Sequence, residues 1–330
     1  MKKILITGAS GFIGSFLVEE ALKRNYEVYA GIRKTSNTEY LTDSRIKFVE
    51  LDFADPDSLK WTLFKLPYFD FVIHNAGLTK AFSKKDYFIS NFLYTKNLVN
   101  VLMVLKKVPE KFIYMSSLAA YGPGDPLQLP SVRSTDTPKP VTSYGRSKLE
   151  SELFLSALSG FPHIIIRPTI VYGPREKDLY TMFKIINNNF ELFVGFKKQY
   201  LTFVYVKDLV KSVFKAIESD VVNTGYFISD GNVYDRKTLG NIIKERLGKK
   251  TISIYFPIKL VRLIALITET SKYITRKQSV LNFEKVKELE CVNWKCDIQP
   301  ITDDLNFKAD YNLSKGVNET IDWYKKVNWL

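Results

Sequence analysis

A tyrosine and a lysine four residues apart are the first pair in this chain that could transfer a proton. They are Tyr144 and Lys148, within "TSYGRSK". Four-residue spacing places two side chains on one face of a helix. A phenol with a pKa of about 10 is a poor base at neutral pH, but a nearby ammonium group favours its phenolate form. Because the spacing alone is common, the pair indicates acid/base chemistry only if other motifs bring a cofactor and a substrate to it.

A glycine-rich turn, "TGASGFIG", follows the apolar run "KILIT" and precedes an amphipathic segment. This order of strand, turn and helix is typical of a dinucleotide phosphate site. Gly8 permits the tight turn, Gly11 lets the backbone approach a pyrophosphate, and Gly14 allows close packing of helix and strand. The helix N-terminus adds N–H groups for the phosphates. The predicted phosphate loop comprises Gly8, Ser10, Gly11, Phe12, Ile13 and Gly14.

The second predicted strand ends in cations. Folds that bind NAD usually place Asp or Glu about 20 residues past the glycines, on the ribose 2′-hydroxyl. Arg33 stands at that point and Lys34 follows it. A cation suits the 2′-phosphate of NADP through a charge-assisted contact. The sequence therefore favours NADP, with NAD as the alternative if both cations merely belong to an exposed loop.

The first half of the chain alternates apolar runs with amphipathic segments, which predicts βαβ units and a doubly wound parallel sheet of the Rossmann type. A helix is predicted to begin at Pro56, with Asp55 as its N-cap. Another is predicted from about Lys85 to Lys107. Five more strands are expected at "EVYAGIR", "IKFVELD", "FDFVIHNAG", "KFIYMSS" and "HIIIRPTIVYG".

The regularity of these segments drops after Gly173. We predict an α/β chain with a dinucleotide-binding domain at 1–172, to whose sheet segments at about 203–229 return. A smaller, interleaved C-terminal substrate lobe is predicted from 173–202 and 230–330. A doubly wound sheet binds its ligand at the carboxyl ends of its strands. The motifs at those ends are therefore expected to form one site.

Taken in order, the motifs resemble those of the extended short-chain dehydrogenase/reductases, in the NAD-dependent epimerase/dehydratase superfamily. The resemblance covers residues 1 to about 230 and is nearest in style to the dihydroflavonol reductase and 3β-hydroxysteroid dehydrogenase-like branch. Besides the glycine loop, the matching stretches are "LDFAD", "HNAG", "YMSSLAAYG", "YGRSK", "RPTIVYGP" and "VYVKDLV". One departure is Tyr94, which stands where the family often has glycine.

The resemblance implies roles for individual residues. Tyr144 would be the catalytic acid/base, Lys148 its partner and a ligand of the nicotinamide ribose, and Ser117 a hydrogen-bond donor to the substrate oxygen. Further cofactor contacts are implied at Asp52, Phe53, Asn75, Ala76, Gly77, Pro168, Ile170 and Val171. Substrate contacts are implied at Thr79, Lys80 and Leu118, together with Ser117 and Tyr144. His74 is expected to be a strand-end residue with a satisfied ring.

Three functions are compatible with these residues. We predict hydride transfer between nicotinamide C4 and a secondary alcohol or ketone of a fairly apolar small molecule. The alternatives are a nucleotide-sugar 4-epimerase with tightly bound NAD and a non-catalytic NAD(P)-binding regulatory protein. The presence of Ser117, Tyr144 and Lys148 argues against the regulatory protein.

Two local features bear on the reaction. Leu118 and Ala119 follow Ser117, where sugar dehydratases carry an acidic pair, and neither can transfer a proton. Nucleotide-sugar epimerases usually carry an arginine just before the "VYVKD" strand, where this chain has Leu201 and Thr202. Arg175 or Lys197 could substitute for that arginine. The dehydratase is thus disfavoured more strongly than the epimerase.

Composition limits the partners. The net charge of +13 comes from scattered lysines without an Arg-rich block, which favours a solvated surface over nucleic-acid binding. The two cysteines, Cys291 and Cys296, have no His cluster nearby, so no metal site is expected. We expect a small-molecule substrate. The resemblance implies that homodimers can form through the helix near 85–107 and the helix of Tyr144.

The most apolar stretch is "ISIYFPIKLVRLIALI", from Ile252. It is interrupted by Pro257, Lys259 and Arg262 and falls short of the roughly 20 apolar residues needed to span a bilayer. No integral membrane segment is therefore expected. The stretch is predicted to be a buried or lid helix, with a peripheral membrane contact as the alternative. The start "MKKILITG" has too short an apolar run for a signal peptide, so a cytoplasmic location is expected.

Overall fold

The computed structural model describes residues 1–275 and 283–330, with residues 270–275 described by their backbone alone. The strands are, in chain order, β1 (Lys3–Thr7), β2 (Glu27–Ile32), β3 (Lys47–Glu50), β4 (Phe71–His74), β5 (Lys111–Met115), β6 (His163–Pro168), β7 (Ile170–Tyr172), β8 (Phe190–Val194), β9 (Tyr200–Leu201), β10 (Phe203–Tyr205), β11 (Thr224–Ile228), β12 (Tyr234–Asp235) and β13 (Ile252–Phe256).

The helices are α1 (Phe12–Lys23), α2 (Pro56–Lys65), α3 (Lys84–Tyr87), α4 (Tyr94–Val104), α5 (Ser143–Ser156), α6 (Tyr180–Asn187), α7 (Val206–Glu218), α8 (Thr238–Leu247), α9 (Ile258–Thr275), α10 (Phe283–Glu290), α11 (Gln299–Leu305) and α12 (Leu313–Lys326). A π-helical segment at Phe88–Leu93 joins α3 to α4, and a 3-10 turn at Leu118–Ala120 follows β5.

The described residues contain one seven-stranded parallel sheet, in the order β11-β6-β5-β4-β1-β2-β3. Apolar clusters cover both of its faces, which explains why its strands are continuous apolar runs. The strand order reverses between β1 and β4, where a doubly wound sheet opens its ligand crevice. The predicted fold class is confirmed. Asp55 is the N-cap of α2, as expected, and accepts hydrogen bonds from Asp57 N and Ser58 N.

The stretch "HIIIRPTIVYG" forms two strands rather than the single strand predicted. β6 lies in the central sheet, whereas β7 leaves it and pairs with β10. Pro168, the last residue of β6, has no N–H for a ladder hydrogen bond. Thr169 stabilises the point at which the chain leaves the central sheet for the pairing with β10. Its N donates to Ile228 O of β11, and its Oγ1 donates to Thr202 O, next to β10, at 2.7 Å.

The segments expected to return to the sheet behave differently. β11 joins the central sheet beside β6, as predicted, but β10 pairs only with β7, so the expectation is wrong for β10. A third apolar cluster lies beyond this pair and joins it to α6, α8 and α12. Tyr172 and Phe203 carry the contact from the strands into that cluster, with their ring centroids 6.2 Å apart.

The helix predicted near 85–107 is interrupted by the π-helical turn around Asn91. The Asn91 side chain binds the loop after β4: Oδ1 accepts from Leu78 N at 2.7 Å and Nδ2 donates to Leu78 O at 3.1 Å. A helix predicted from Ile252 is likewise wrong at its start. The chain is a strand to Phe256, because a residue before proline disfavours helical dihedrals, and α9 begins after Pro257.

Candidate active site

The glycine loop packs as closely as its sequence requires. A Cβ on Gly14 would lie 2.1 Å from Gly8 O, so α1 can approach β1 this closely only with glycine there. Gly8 has φ of +65°, and a Cβ on it would lie 2.8 Å from Ala76 N. Gly11 is the N-cap of α1 and makes no side-chain capping bond, which leaves the first N–H groups of the helix for an anion. This loop fits a dinucleotide phosphate.

The other side chains predicted for the adenosine half lie around the ends of β2 and β3. Arg33 and Lys34 follow β2 and are exposed, and Arg33 N donates to Ser36 Oγ at 3.0 Å. Asp52 is exposed and accepts from Ala54 N at 2.9 Å. Phe53 is buried and stacks on Tyr94, with ring centroids 6.2 Å apart. The tyrosine that departs from the family pattern thus packs against a predicted cofactor contact.

His74 is buried and occupies the centre of a hydrogen-bonded chain. Thr95 Oγ1 donates to Asn91 O, so it accepts from His74 Nε2 at 3.0 Å. Thr7 Oγ1 accepts from Ala76 N and donates to His74 Nδ1 at 2.8 Å. Burial lowers the pKa of His74 to about 3. The ring is therefore neutral, protonated at Nε2 and satisfied at both nitrogens, as expected of a structural histidine.

The loop after β4 approaches Lys148. Asn75 Nδ2 donates to Gly8 O at 3.4 Å, which joins this loop to the glycine loop. A Cβ on Gly77 would lie 2.8 Å from Asn91 Oδ1 and 3.2 Å from Lys148 Nζ. Only a residue without a side chain fits that space. The predicted cofactor contacts after β1 and β4 thus lie together at the point where the strand order reverses.

Tyr144 lies in the first turn of α5 and is half-buried. Two residues bind the start of this helix: Thr142 Oγ1 accepts from Gly145 N at 3.1 Å, and a Glu284 carboxylate oxygen of α10 accepts from Ser143 N. Burial raises the pKa of the Tyr144 phenol to about 12, and a hydrogen bond with Ser117 opposes that rise. The phenol is therefore a proton donor at neutral pH before any cofactor binds.

Lys148 lies one helical turn further on and is 5% exposed. Its Nζ donates to Met115 O at 2.7 Å and lies 4.9 Å from the centroid of the Tyr114 ring. Burial lowers the pKa of Lys148 to about 8, while the Glu152 carboxylate opposes the change. The pKa values of Tyr144 and Lys148 thus move opposite to the predicted activation, because burial is the largest cause of the shift in each.

Ser117 and Ser116 face different surroundings at the end of β5. Ser117 is half-buried, and its Oγ accepts from Ala119 N at 3.2 Å in the following turn. Ser116 is buried and donates to Glu152, which also accepts from Arg167 Nε at 2.9 Å. Ser117 is the serine of this pair that opposes the rise in the pKa of the Tyr144 phenol.

A model of the NAD dependent epimerase/dehydratase family matches residues 4–228, more than half of the chain. The chain belongs to this family. Its members are enzymes of the extended short-chain dehydrogenase/reductase type, so the expected family and enzyme class are confirmed.

Relatives in this family differ in reaction. The chain is 28% identical to UDP-glucose 4-epimerase of Vibrio cholerae, over 89% of this chain and 90% of that protein. It is 27% identical to sterol-4-alpha-carboxylate 3-dehydrogenase, decarboxylating, of Dictyostelium discoideum, over 77% and 78%. The solved UDP-glucose 4-epimerase of Thermotoga maritima, with UDP-glucose, superposes with a TM-score of 0.79 over 99% of both chains, at 21% identity.

The other residues predicted to contact the cofactor or substrate differ in how far they are buried. Thr79 and Lys80 are exposed, and Lys80 forms an ion pair with Asp178. Leu118 is buried with Val132, Phe227 and Cys296. Pro168 ends β6, and Ile170 and Val171 begin β7. Ser10, Phe12 and Ile13 are half-buried in the glycine loop. These contacts stay predictions.

Arg175, one of the two predicted substitutes for the family's arginine, makes its contacts with α1 and with Tyr40. It donates to Ser15 Oγ at 2.9 Å, pairs with Glu19, and lies over the rings of Phe16 and Tyr40. It is therefore bound to α1. This leaves Lys197, which is exposed, as the predicted substitute for the family's arginine.

Three residues around the site escaped sequence analysis in this role. Asn91 links the loop after β4 to α5, since its Nδ2 donates to Ser147 Oγ at 2.9 Å. Glu152 stands four residues after Lys148, a spacing that could have pointed to it. Glu284 had no such signal, because it reaches Ser143 from a distant part of the chain. The described residues hold no group of three or more His, Cys, Asp or Glu side chains placed to bind a metal ion.

Proposed function

We propose that this enzyme is a nucleotide-sugar 4-epimerase that uses a tightly bound nicotinamide dinucleotide. The observation that carries the proposal is the Tyr144 phenol, which stands one helical turn before buried Lys148 and whose pKa is lowered by Ser117 against the effect of burial. Two of the similar proteins above are UDP-glucose 4-epimerases. The comparisons favour this alternative over the reductase that the sequence predicted.

The residues around the crevice fit the cofactor. The uncapped N-terminus of α1 and the space at Gly8 suit the pyrophosphate, and the space at Gly77 lies beside Lys148. When bound, the nicotinamide supplies a hydride acceptor at C4 and an adjacent positive charge. Positive charge near a phenol lowers its pKa, which would offset the effect of burial on Tyr144. Lys148, with a pKa of about 8, adds a second cation at neutral pH.

Each catalytic side chain then has one task. With the nicotinamide bound as hydride acceptor and donor, Tyr144 would accept the proton of the sugar C4 hydroxyl when hydride leaves C4, and would return that proton when the hydride is given back to the opposite face. Ser117 hydrogen-bonds the C4 oxygen and holds it against the phenol. Lys148 stabilises the phenolate. The net reaction inverts C4 and consumes no cofactor.

A reductase with NADP is the second candidate, supported by one specific observation. Arg33 and Lys34 are exposed at the end of β2, where NAD-binding folds usually carry a carboxylate. A reductase exchanges its cofactor at each turnover, and NADPH suits net reduction of a ketone. The same Tyr144, Ser117 and Lys148 would serve that reaction.

One experiment separates the two. The purified protein is denatured, and the released nucleotide is identified as NAD or NADP. The native protein is then given UDP-glucose or UDP-galactose without added cofactor, and separately a panel of apolar ketones with NADPH. Interconversion of the two UDP-sugars supports the epimerase. NADPH oxidation with a ketone, without interconversion, supports the reductase and overturns the epimerase.

Three broader predictions belong to this proposal. The dinucleotide-binding domain comprises 1–172 with about 203–229, within which β10 pairs with β7 rather than with the central sheet, and the substrate lobe comprises 173–202 and 230–330. The exposed Phe88 and Leu153 favour a homodimer through α4, α5 and the π-helical turn, which sedimentation can test. A cytoplasmic location remains part of the proposal. Among the helices within the described ranges, none is both long and apolar enough to cross a membrane.

A further inference from the structure

The ribbon formed by β8 and β13 buries a polar residue and exposes apolar ones. Glu191 is 3% exposed, whereas its neighbours Phe190 and Leu192 are 44% and 46% exposed. In the parallel register Phe190 pairs with Ile252 and Leu192 with Ile254. Paired residues on adjacent strands project from the same face of a sheet. Since Ile252 and Ile254 are 65% and 36% exposed, that face presents four apolar side chains.

An ion pair holds the ribbon in this orientation. Glu191 Oε2 accepts from Lys244 Nζ of α8 at 2.9 Å. A Cβ on Gly240, also in α8, would lie 2.1 Å from Glu191 Oε1. A slip of β8 by one residue would bury the apolar side chains but would expel Glu191 from this contact. The apolar face is therefore fixed outward.

Helix α9 extends the same face. Val194 and Phe256 end the two strands and pack in a cluster with Val261 and Ala265 of α9 and Val286 of α10. The outward side of α9 is aliphatic too, because Leu260, Leu263 and Ile264 are 43%, 53% and 36% exposed. We call the exposed residues of the ribbon and helix the β13–α9 face; it comprises Phe190, Leu192, Ile252, Ile254, Leu260, Leu263 and Ile264.

The segment that carries most of this face has charges of one sign in its own sequence. Residues 246–268 contain five cations, Arg246, Lys249, Lys250, Lys259 and Arg262, and no Asp or Glu. Arg246 and Arg262 pair with carboxylates elsewhere. Lys250 and Lys259 are exposed and stand two residues before Ile252 and one residue before Leu260 in the sequence. The face would repel a second copy of itself and would attract an anionic surface.

We propose that the β13–α9 face binds peripherally to the surface of an anionic lipid bilayer. The aliphatic side chains enter the boundary between headgroups and acyl chains, and Lys250 and Lys259 approach the lipid phosphates. An apolar surface rimmed by cations has both attractions that such binding needs. This association does not depend on whether the enzyme epimerises a sugar or reduces a ketone.

Vesicle co-sedimentation of the full chain tests the proposal. Vesicles of phosphatidylcholine alone are compared with vesicles that also contain phosphatidylglycerol. We expect binding to the anionic vesicles that is at least about tenfold stronger than to the neutral ones. We expect Ile252→Ser with Leu263→Ser, and separately Lys250→Glu with Lys259→Glu, to weaken binding to anionic vesicles by about tenfold or more.

The matched control is another exposed apolar pair, Trp61 and Phe64 on α2, each 62% exposed. Trp61→Ser with Phe64→Ser should bind anionic vesicles like the unmodified protein. All variants should keep the thermal midpoint within a few degrees, since the changed side chains are exposed. The proposal is overturned if the protein does not bind anionic vesicles, or if the Ile252/Leu263 variant binds them fully. It is also overturned if that variant abolishes a dimer of the unmodified protein.

Discussion

The ammonium of Lys148 and the carbonyl oxygen of Met115 are joined by a hydrogen bond of 2.7 Å. The bond ties α5, which carries the acid/base tyrosine, to the last residue of β5, directly before the two serines. It holds a buried cation one helical turn from Tyr144 without a carboxylate in direct contact, since Glu152 is bound to Ser116 and Arg167. The first predictions concern this arrangement.

Tyr144→Phe should lower turnover by about 10²–10⁴-fold, the usual range for removal of a general acid/base. Nucleotide binding should persist, because the phosphate loop is unchanged. Tyr87→Phe is the matched control: the two rings are 6.1 Å apart, but the Tyr87 hydroxyl donates to Thr79 O. It should keep activity within about tenfold. Full activity of Tyr144→Phe would refute the proposed chemistry.

Lys148→Met should abolish most activity yet raise stability at pH 7. Burial lowers the pKa of Lys148 from 10.5 to about 8, so folding disfavours its charged form. The charged lysine therefore destabilises the folded protein by roughly 3 kcal/mol, at 1.36 kcal/mol per pKa unit. This destabilisation is fully present below pH 8 and is lost as the pH rises to 10.5. The variant also leaves the Met115 carbonyl without the hydrogen bond from Lys148, which reduces the gain in stability by about 1 kcal/mol.

Chemical denaturation of both proteins at pH 7 and pH 10 measures the effect. The stability gained by Lys148→Met should be larger at pH 7. A gain that is absent, or that grows toward pH 10, would contradict the depressed pKa.

Arg33→Asp should weaken the affinity for NADP relative to that for NAD by at least about tenfold, since it removes a cation that can contact the 2′-phosphate and adds repulsion. Titration with both dinucleotides, followed by fluorescence, gives the ratio of dissociation constants. Arg45→Asp is the control, because Arg45 is also exposed and lies between β2 and β3. An unchanged ratio in Arg33→Asp would show that Arg33 does not distinguish the 2′-phosphate of NADP from the 2′-hydroxyl of NAD.

Gly14→Ala should destabilise the protein by about 3 kcal/mol or more, because the new methyl group meets backbone atoms at 2.1 and 2.9 Å. Gly160→Ala should cost only about 1 kcal/mol, the strain of a positive φ, since its methyl group would meet open space. Urea unfolding of both variants makes the comparison. Equal losses would mean that the contact of α1 with β1 can relax.

His74 should make the protein sensitive to acid. Its pKa falls from 6.5 to about 3 on folding, so between these values the unfolded chain binds more protons and stability falls as the pH is lowered. At pH 5 the loss from this one residue is about 2 kcal/mol relative to pH 7. His74→Gln, although less stable overall, should lose less stability between pH 7 and pH 5. Identical losses would contradict a neutral, buried ring.

The central sheet could be predicted because its signals are local. Each strand is an apolar run, and Asp55 and Pro56 mark a helix start. The glycine pattern from Gly8 to Gly14 lies within one short stretch of the sequence. The switch of sheets at Thr169 could not be predicted, because it depends on hydrogen bonds with Ile228 and Thr202, far along the chain.

The same distinction applies to the site. Tyr144 and Lys148 share a helix, so their spacing pointed to them, and Ser117 lies in a motif. Their pKa values could not be predicted, because these depend on how deeply the fold buries each group. Glu284, which binds the start of α5, comes from a part of the chain with no recognisable motif.

The late return of β11 to the sheet has a consequence for synthesis. β6 ends at Pro168, but its outer neighbour begins only at Thr224, after the six elements β7, α6, β8, β9, β10 and α7. A nascent chain on the ribosome must therefore expose the edge of β6 until Ile228 has emerged. Unpaired strand edges are where chains associate wrongly. Truncations that end between these two strands should consequently aggregate, whereas those that end beyond Ile228 can complete the sheet.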